Sequence, residues 1–216
     1  MNEQTIGIIG TGHIGATLAK HFVDAGHRVL LANSRGADSL RSMAAELGPS
    51  ARASTPAEAA READFVVEAV PFGKLEDLPR AELAGKLLVS ASNYYPGRDG
   101  DLDIGADGEA AYIGKLFPET RVVRAFNTVY WEHLRDKADP SLSHEDRRAV
   151  PVAGDDPQAV EKVAEFVESL GFGAVRVGAL RDTHGVSNPG GALYNVDMTA
   201  GRAERVLRER TNGPAR

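Results

Sequence analysis

Short aliphatic runs alternate with stretches in which apolar residues recur every three or four positions, and the alternation persists along nearly the whole chain. Aliphatic runs at residues 5–9 (TIGII), 28–32 (RVLLA), 51–53, 64–70 (DFVVEAV), 86–90, 121–126, 149–153 and 174–177 predict β-strands. The helical period falls between them. One helix is expected over residues 14–24, closed by Gly26. A second starts at Asp38 or Ser39 as cap and runs to about residue 47, stopped by Gly48-Pro49. Thr55-Pro56 opens a third, with a hydroxyl cap followed by proline at the first helical position. Further helices are expected over residues 75–83, 108–116 and 157–170, with a last one over about 199–210.

Strands that alternate with helices call for right-handed crossovers and a parallel sheet covered on both faces. Continuous aliphatic strands such as residues 65–70 agree, because both of their faces must be buried. The expected fold class is therefore α/β, a Rossmann-type, doubly wound, mostly parallel sheet. Residues 1–180 form the dinucleotide-binding domain in this reading. Residues 181–216 form a loop and a short C-terminal helical tail packed on it, with no separate catalytic domain. Two glycine-rich loops, residues 94–107 and 182–195, are long enough to be functional.

Composition narrows the class. The 216 residues are 42% hydrophobic and 26% charged, as in a globular protein. The net charge is −6 with dispersed basic residues, so a nucleic-acid partner is not expected. No apolar run approaches the roughly 20 residues of a membrane helix, and no membrane partner is expected. The first strand is expected to begin at Thr5, and no signal peptide is expected before it. The absence of cysteine excludes disulfides and thiolate chemistry and fits a cytoplasmic location. The six histidines show no metal-ligand spacing.

The stretch "GTGHIG", Gly10 to Gly15, follows the first strand directly and opens the first helix, within a unit that ends in a second strand. Gly10 suits a tight turn, Gly12 lets backbone approach a pyrophosphate, and Gly15 lets helix pack on sheet. Phosphates would sit at the helix N-terminus, where free N–H groups and the dipole favour an anion. NAD sites place an acidic residue about 20 residues past the glycines to bind the ribose 2′-hydroxyl. Here Asn33 occupies that place, followed by Ser34, Arg35 and Gly36. A carboxylate would repel a 2′-phosphate, whereas an amide, a hydroxyl and a guanidinium all donate to one. NADP(H) is the expected cofactor.

Ligands on open α/β sheets bind at the carboxyl ends of the strands. That rule adds Ala69, Val70, Pro71 and Phe72, then Ser92 and Asn93, then Phe126, Asn127 and Thr128 as candidates. Glu68 falls within a predicted buried strand, as a paired structural group, as a sign that the strand ends earlier, or as a catalytic acid. Tyr94, Tyr95, Tyr130 and Trp131 are either apolar walls for a planar ring or ordinary packing. His13 is expected on phosphate or ribose, His21 and His27 in structural roles, and His184 in the suspected substrate loop.

At "IGIIGTGHIGATLA", "GHRVLLANSRG", "VVRAFNTV", "VPVAGDD" and "VGALRDTHGVSNPGGALYN" the sequence resembles the NADPH-dependent reductases of the deazaflavin coenzyme F420. Their dinucleotide domain is itself similar to the reductase domain of certain membrane ferric reductases. The matching pieces span almost the whole chain in order, and "NSRG" and "AFNTV" with "VAGDD" are more specific than the glycine loop. The resemblance implies that Thr11, Gly12, His13, Ile14, Ser34 and Arg35 hold NADPH, with Val70 and Pro71 near the nicotinamide. It also implies that Asn127 and the Gly178, Ala179, Leu180 loop face the second redox ring. Members acting on the deazaflavin can carry histidine where Asn127 stands, and "AGPL" where this chain reads Val177-Gly178-Ala179-Leu180.

Only about 40 residues follow Val177, and no Tyr-x-x-x-Lys or Ser/His/Asp set supplies a general acid for carbonyl reduction. Hydride transfer between two stacked rings demands less, since the cofactors carry the chemistry. The expected enzyme is an NADP-dependent oxidoreductase whose small-molecule co-substrate is coenzyme F420 or a flavin, with Asn127 at the reacting rings. The alternative is an NADPH-binding redox sensor without turnover. In the last helix Ala203, Val206 and Leu207 form an apolar stripe that covers either its own sheet or a partner chain, and a homodimer is one expectation.

Overall fold

A computed structural model of the chain describes residues 2–105 and 108–212, with side chains to residue 210. The last two residues of the expected 94–107 loop, together with residues 1 and 213–216 of the expected domains, lie outside it. The chain runs β1 (Thr5–Ile9), α1 (His13–Asp24), β2 (Arg28–Ala32), α2 (Arg41–Leu47), β3 (Ala51–Ala53), α3 (Pro56–Glu62) and β4 (Phe65–Glu68). It continues with α4 (Arg80–Leu83), β5 (Leu87–Ser90), α5 (Pro96–Asp99), α6 (Gly108–Leu116), β6 (Arg121–Arg124) and α7 (Trp131–Asp136). It ends with β7 (Ala149–Gly154), α8 (Pro157–Ser169), β8 (Gly173–Gly178) and α9 (Ala200–Asn212).

The strands form one sheet in the order β3-β2-β1-β4-β5-β6-β7-β8. Strands β1 to β6 are parallel, as the strand–helix alternation predicts. Strand β7 turns antiparallel to β6, and β8 then runs parallel to β7. The carboxyl ends of β7 and β8 therefore point away from the edge at which β1 to β6 end.

Alternate residues of the central strands feed two large cores, one on each face. On one face Ile6, Ile8, Val67, Val89 and Val152 pack against Leu18, Ala19 and Phe22 of α1 and Val163, Phe166 and Val167 of α8. On the other face Ile9, Val66 and Leu88 pack against Ala59 and Ala60 of α3 and Ile113 of α6. Helix α9 lies over Ala149 and Val175 through the fully buried Ala203, with Val206 and Leu207 partly buried beside it. The apolar stripe of the last helix thus covers its own sheet.

Several local expectations change. Residues 75–83 are not one helix: a 3-10 turn, Phe72–Asp77, is separated from α4 by an extended Leu78. The next residue, Pro79, disfavours helical backbone in the residue before it. Neither Asp38 nor Ser39 caps α2. A 3-10 turn, Ala37–Leu40, precedes it, and the Ser39 hydroxyl donates to the Gly36 carbonyl at 2.8 Å. Helix α3 carries the expected cap as a full capping box, with Thr55 and Glu58 satisfying each other's backbone N–H. Helices α5 and α7 are too short and too polar to show a helical period. Among the described residues no helix is long and apolar enough to cross a membrane.

Candidate functional site

The three glycines of the first loop meet three different demands. Gly10 has φ +105°, and a Cβ there would lie 2.5 Å from the Ala69 carbonyl oxygen, so β1 and β4 could not keep this spacing with a side chain. A Cβ on Gly15 would fall on the Gly10 carbonyl oxygen. Gly12 faces open space on its Cβ side. It is the N-cap of α1, and no side chain satisfies the amides of that helix end. Helices α3 and α8, by contrast, are capped by Thr55 and Asp156. The open, uncapped amides of α1 suit an anion.

Two clefts open along the carboxyl edge of β1, β2, β4, β5 and β6, sharing Gly12, Ala69, Val70 and Pro71. The first, of about 610 Å³, runs from Gly10, Thr11 and Gly12 past Asn33, Ser34 and Arg35 to Lys74 and Leu78. Ser34 and Arg35 are exposed in it. Asn33 is buried and turned into its own loop: its Nδ2 donates to Ser39 Oγ (3.1 Å), and its Oδ1 accepts from the Arg35 amide (2.8 Å). It shapes the turn that presents Ser34 and Arg35.

The second cleft, of about 470 Å³, is lined by His13, Ile14, Asn93, Asn127, Tyr130, Trp131 and Tyr194. His13 stacks on Trp131 with ring centroids 4.6 Å apart. Phe126 and Asn195, both on this cleft, hold φ values of +64° and +55°. Such backbone costs on the order of 1–3 kcal/mol in a non-glycine residue and persists where its surroundings impose it. At Phe126 it turns the chain after β6 so that Asn127 faces the cleft.

Beneath the floor lies a buried polar network. Asn127 Nδ2 donates to Asn93 Oδ1 (3.0 Å) and to the Ser187 carbonyl (2.9 Å), and Asn93 Nδ2 donates to the Asn127 carbonyl (2.7 Å). Arg124, fully buried, donates to Asn93 Oδ1 and to the Ser92 carbonyl, both at 2.9 Å, and pairs with Glu109 at 3.3 Å. Burial lowers the Arg124 pKa against the opposing pull of Glu109 and Glu68. Burial likewise raises Glu109 against the pull of Arg124. Glu68 is wholly buried and paired: Oε1 accepts from Ser90 Oγ (2.5 Å) and Ser92 Oγ (2.9 Å), and Oε2 from the Val70 amide (3.3 Å). Burial raises its pKa to about 7. The Asn127 Oδ1 is buried and has no hydrogen-bond partner among the described residues.

The structure brings Gly10, Thr11, Gly12, His13, Ile14, Asn33, Ser34, Arg35, Ala69, Val70, Pro71, Asn93 and Asn127 to one continuous groove, with Gly15 buried behind it. It does not bring Gly178, Ala179 and Leu180 there. They follow β8, whose carboxyl end points away from that edge, and Leu180 is buried against Ile113 and Phe117. From the expected substrate loop only its end, Tyr194 and Asn195, lines the groove, and the exposed His184 does not. His21 and His27 are bound within the fold, to the Leu134 carbonyl and the Gln4 amide. Tyr94 packs on Phe72 and bonds the Gly100 carbonyl. Tyr95, Tyr130 and Trp131 line the second cleft.

Lys74, Arg98, Arg124 and Tyr194 were not singled out by the sequence. Arg98 Nη2 donates to the Asn93 carbonyl (2.7 Å), and the Tyr194 and Tyr95 hydroxyls bond each other across the two long loops. Only the run "VVR", Val122 to Arg124, at the end of a buried strand could have flagged Arg124, as a charge needing partners. Among the described residues no cluster of side chains suits a metal ion.

A doubly wound sheet with an uncapped glycine turn at its crossover edge defines the class, a Rossmann-type α/β fold. Residues 5–94 match the family described as NADP oxidoreductase, coenzyme F420-dependent. The chain is similar to a hypothetical protein of Sinorhizobium meliloti, 32% identical over 90% of this chain and 95% of the other, with a TM-score of 0.79. In fold it is similar to a proposed F420-dependent NADP reductase from Arthrobacter sp. FB24, 24% identical over 91% of this chain and 99% of that one, with a TM-score of 0.70. It is also similar in fold to an imine reductase from Pseudomonas sp., 17% identical, with a TM-score of 0.59. There it covers 82% of this chain and 56% of the reductase. Among curated proteins, none matches the chain by sequence.

Proposed function

We propose that this chain transfers a hydride between NADP(H) and a second planar redox ring, coenzyme F420 before flavin. The observation that carries the reading is the second cleft. It opens directly from Val70 and Pro71, holds about 470 Å³, and is lined by Asn127 and the aromatic rings of Tyr130 and Trp131. Aromatic side chains on the wall of a cleft suit a flat ring, which stacks on them.

The groove fits the cofactor in each part. The free amides of α1 around Gly12 and His13 would hold the pyrophosphate. Ser34 and Arg35 would hold the 2′-phosphate, with Arg35 giving a charge-assisted contact. Val70 and Pro71 would form the wall for the nicotinamide, and Asn127 with Tyr130 and Trp131 the wall for the second ring. When bound, the nicotinamide supplies or accepts the hydride. The chain's own task is to hold the two rings in register and keep water out. Asn127 would act by position, since its amide is tied to Asn93 and to the Ser187 carbonyl and so fixes the backbone that lines the cleft. An amide delivers no proton at neutral pH, so its role is orientation.

Purified protein mixed with NADPH and a panel of coenzyme F420, flavins and ferric chelates tests the reading through the nicotinamide absorbance. Fastest turnover with the deazaflavin is expected. Tight NADPH binding without turnover on any acceptor would make the chain a sensor and sink the enzymatic reading.

A further inference from the structure

The polar network under the groove is unbalanced in charge. Its buried members hold one cation, Arg124, and two carboxylates, Glu109 and Glu68, all three at most 6% exposed, while Arg98, which joins at the Asn93 carbonyl, is neutralised by Asp99. Arg124 takes Glu109 as its direct partner. Glu68 is left with uncharged donors alone: two serine hydroxyls and the Val70 amide. Arg124 acts on it only through space, and the neighbouring strand β1 offers no titratable group, pairing Ile9 opposite Glu68. An ionised carboxylate in such a place lacks a counter-charge. Its Oε2 is bonded to the Val70 amide, one peptide unit behind the wall shared by both clefts.

We propose that Glu68 is the counter-charge for the oxidised nicotinamide: it carries a proton when the neutral, reduced ring lies against Val70 and Pro71, and gives it up when the cationic, oxidised ring takes that place. The inference rests on the nicotinamide placement given under Proposed function. Glu68 does not touch the ring. It is a positioning residue, acting through the Val70 peptide and through the field in a dry interior, where charges interact more strongly than in water. A carboxyl group poised near pH 7 by burial sits where a nearby positive charge changes its ionisation most.

Linkage makes the consequence measurable. If the cationic ring favours ionised Glu68, then ionised Glu68 favours the cationic ring by the same factor. The ratio Kd(NADP+)/Kd(NADPH) must therefore fall as pH rises through the Glu68 titration. The 2′-phosphate, with its second pKa near about 6, titrates in both forms of the cofactor and cancels in the ratio.

The test measures both dissociation constants from about pH 5.5 to about pH 8.5, a range that brackets the Glu68 value of about 7. In the wild type the ratio is expected to fall about tenfold, the effect of a one-unit difference in carboxyl pKa between the two complexes. In Glu68→Gln it is expected to stay flat. A second measurement needs no variant: calorimetry in buffers of different ionisation enthalpy near neutral pH, where NADP+ binding should release more protons than NADPH binding. A pH-independent wild-type ratio, equal proton release for the two cofactors, or a Glu68→Gln protein that keeps the wild-type slope overturns the proposal. If the protein binds neither cofactor, the nucleotide reading itself fails, and this inference fails with it. Tight binding of both with a flat ratio overturns the Glu68 role alone.

Discussion

Arg35 stands exposed on the wall of the first cleft, while Asn33 behind it fixes the turn. A charge-assisted hydrogen bond is worth about 1.5–3 kcal/mol. NADPH is therefore expected to bind at least about tenfold more tightly than NADH. Arg35→Ala should remove most of that gap, and titration of both nucleotides checks it. At Asn127 the buried amide has a double duty. Asn127→Leu leaves the Ser187 carbonyl without a donor, costing about 1–3 kcal/mol in stability if water does not replace it, and leaves Asn93 Oδ1 with Arg124. It should also slow hydride transfer while NADPH affinity stays nearly unchanged. Lost NADPH affinity with unchanged turnover per bound cofactor would move Asn127 into the nucleotide site. Glu68 adds a pH dependence to stability. Its carboxyl is more easily protonated folded than unfolded, so its contribution is full below about 4.5 and is lost as pH rises through about 7. Glu68→Gln should lack this loss, and urea unfolding of both proteins across that window reads the difference.

At the scale of single elements, the glycine turn and the helix caps carry the most local information. Thr55 closes the capping box of α3, and Thr55→Ala should cost about 1 kcal/mol, seen as a lower denaturation midpoint with an unchanged denaturant slope. Gly15→Ala should do more harm to binding than to secondary structure. The new methyl would displace the Gly10 carbonyl and with it the loop that presents the α1 amides. These elements were legible in the sequence because their signals are local: a cap, a proline at the first position, glycines at fixed spacing. Elements without such a signal were not legible. The 3-10 turn at Phe72–Asp77 and helix α7 depend on what Phe72 and Leu134 pack against, which lies far away in the chain.

For the molecule as a whole, one sheet and its two helical layers hold both clefts, so binding anywhere along the groove stabilises the entire fold. Saturation with NADPH at about 100 times its Kd should add about 2.7 kcal/mol, visible as a raised Tm, and NADH at equal concentration should add less.

The pattern of aliphatic strands, helical periods and glycines determined the α/β class, the placement of the dinucleotide turn and the position of Arg35 beside it. Each follows from backbone geometry and hydrophobic burial within some thirty residues. Only the tertiary structure decided the rest. A run of buried aliphatic residues reads the same in either direction, so the reversal of β7 and β8 was invisible, and with it the removal of Gly178, Ala179 and Leu180 from the groove. The network joining Glu68, Ser92, Asn93, Glu109, Arg124 and Asn127 was equally hidden. Its members are brought together from β4, β6, α6 and the loops after β5 and β6, and a buried charge shows its partners only once those elements are packed side by side.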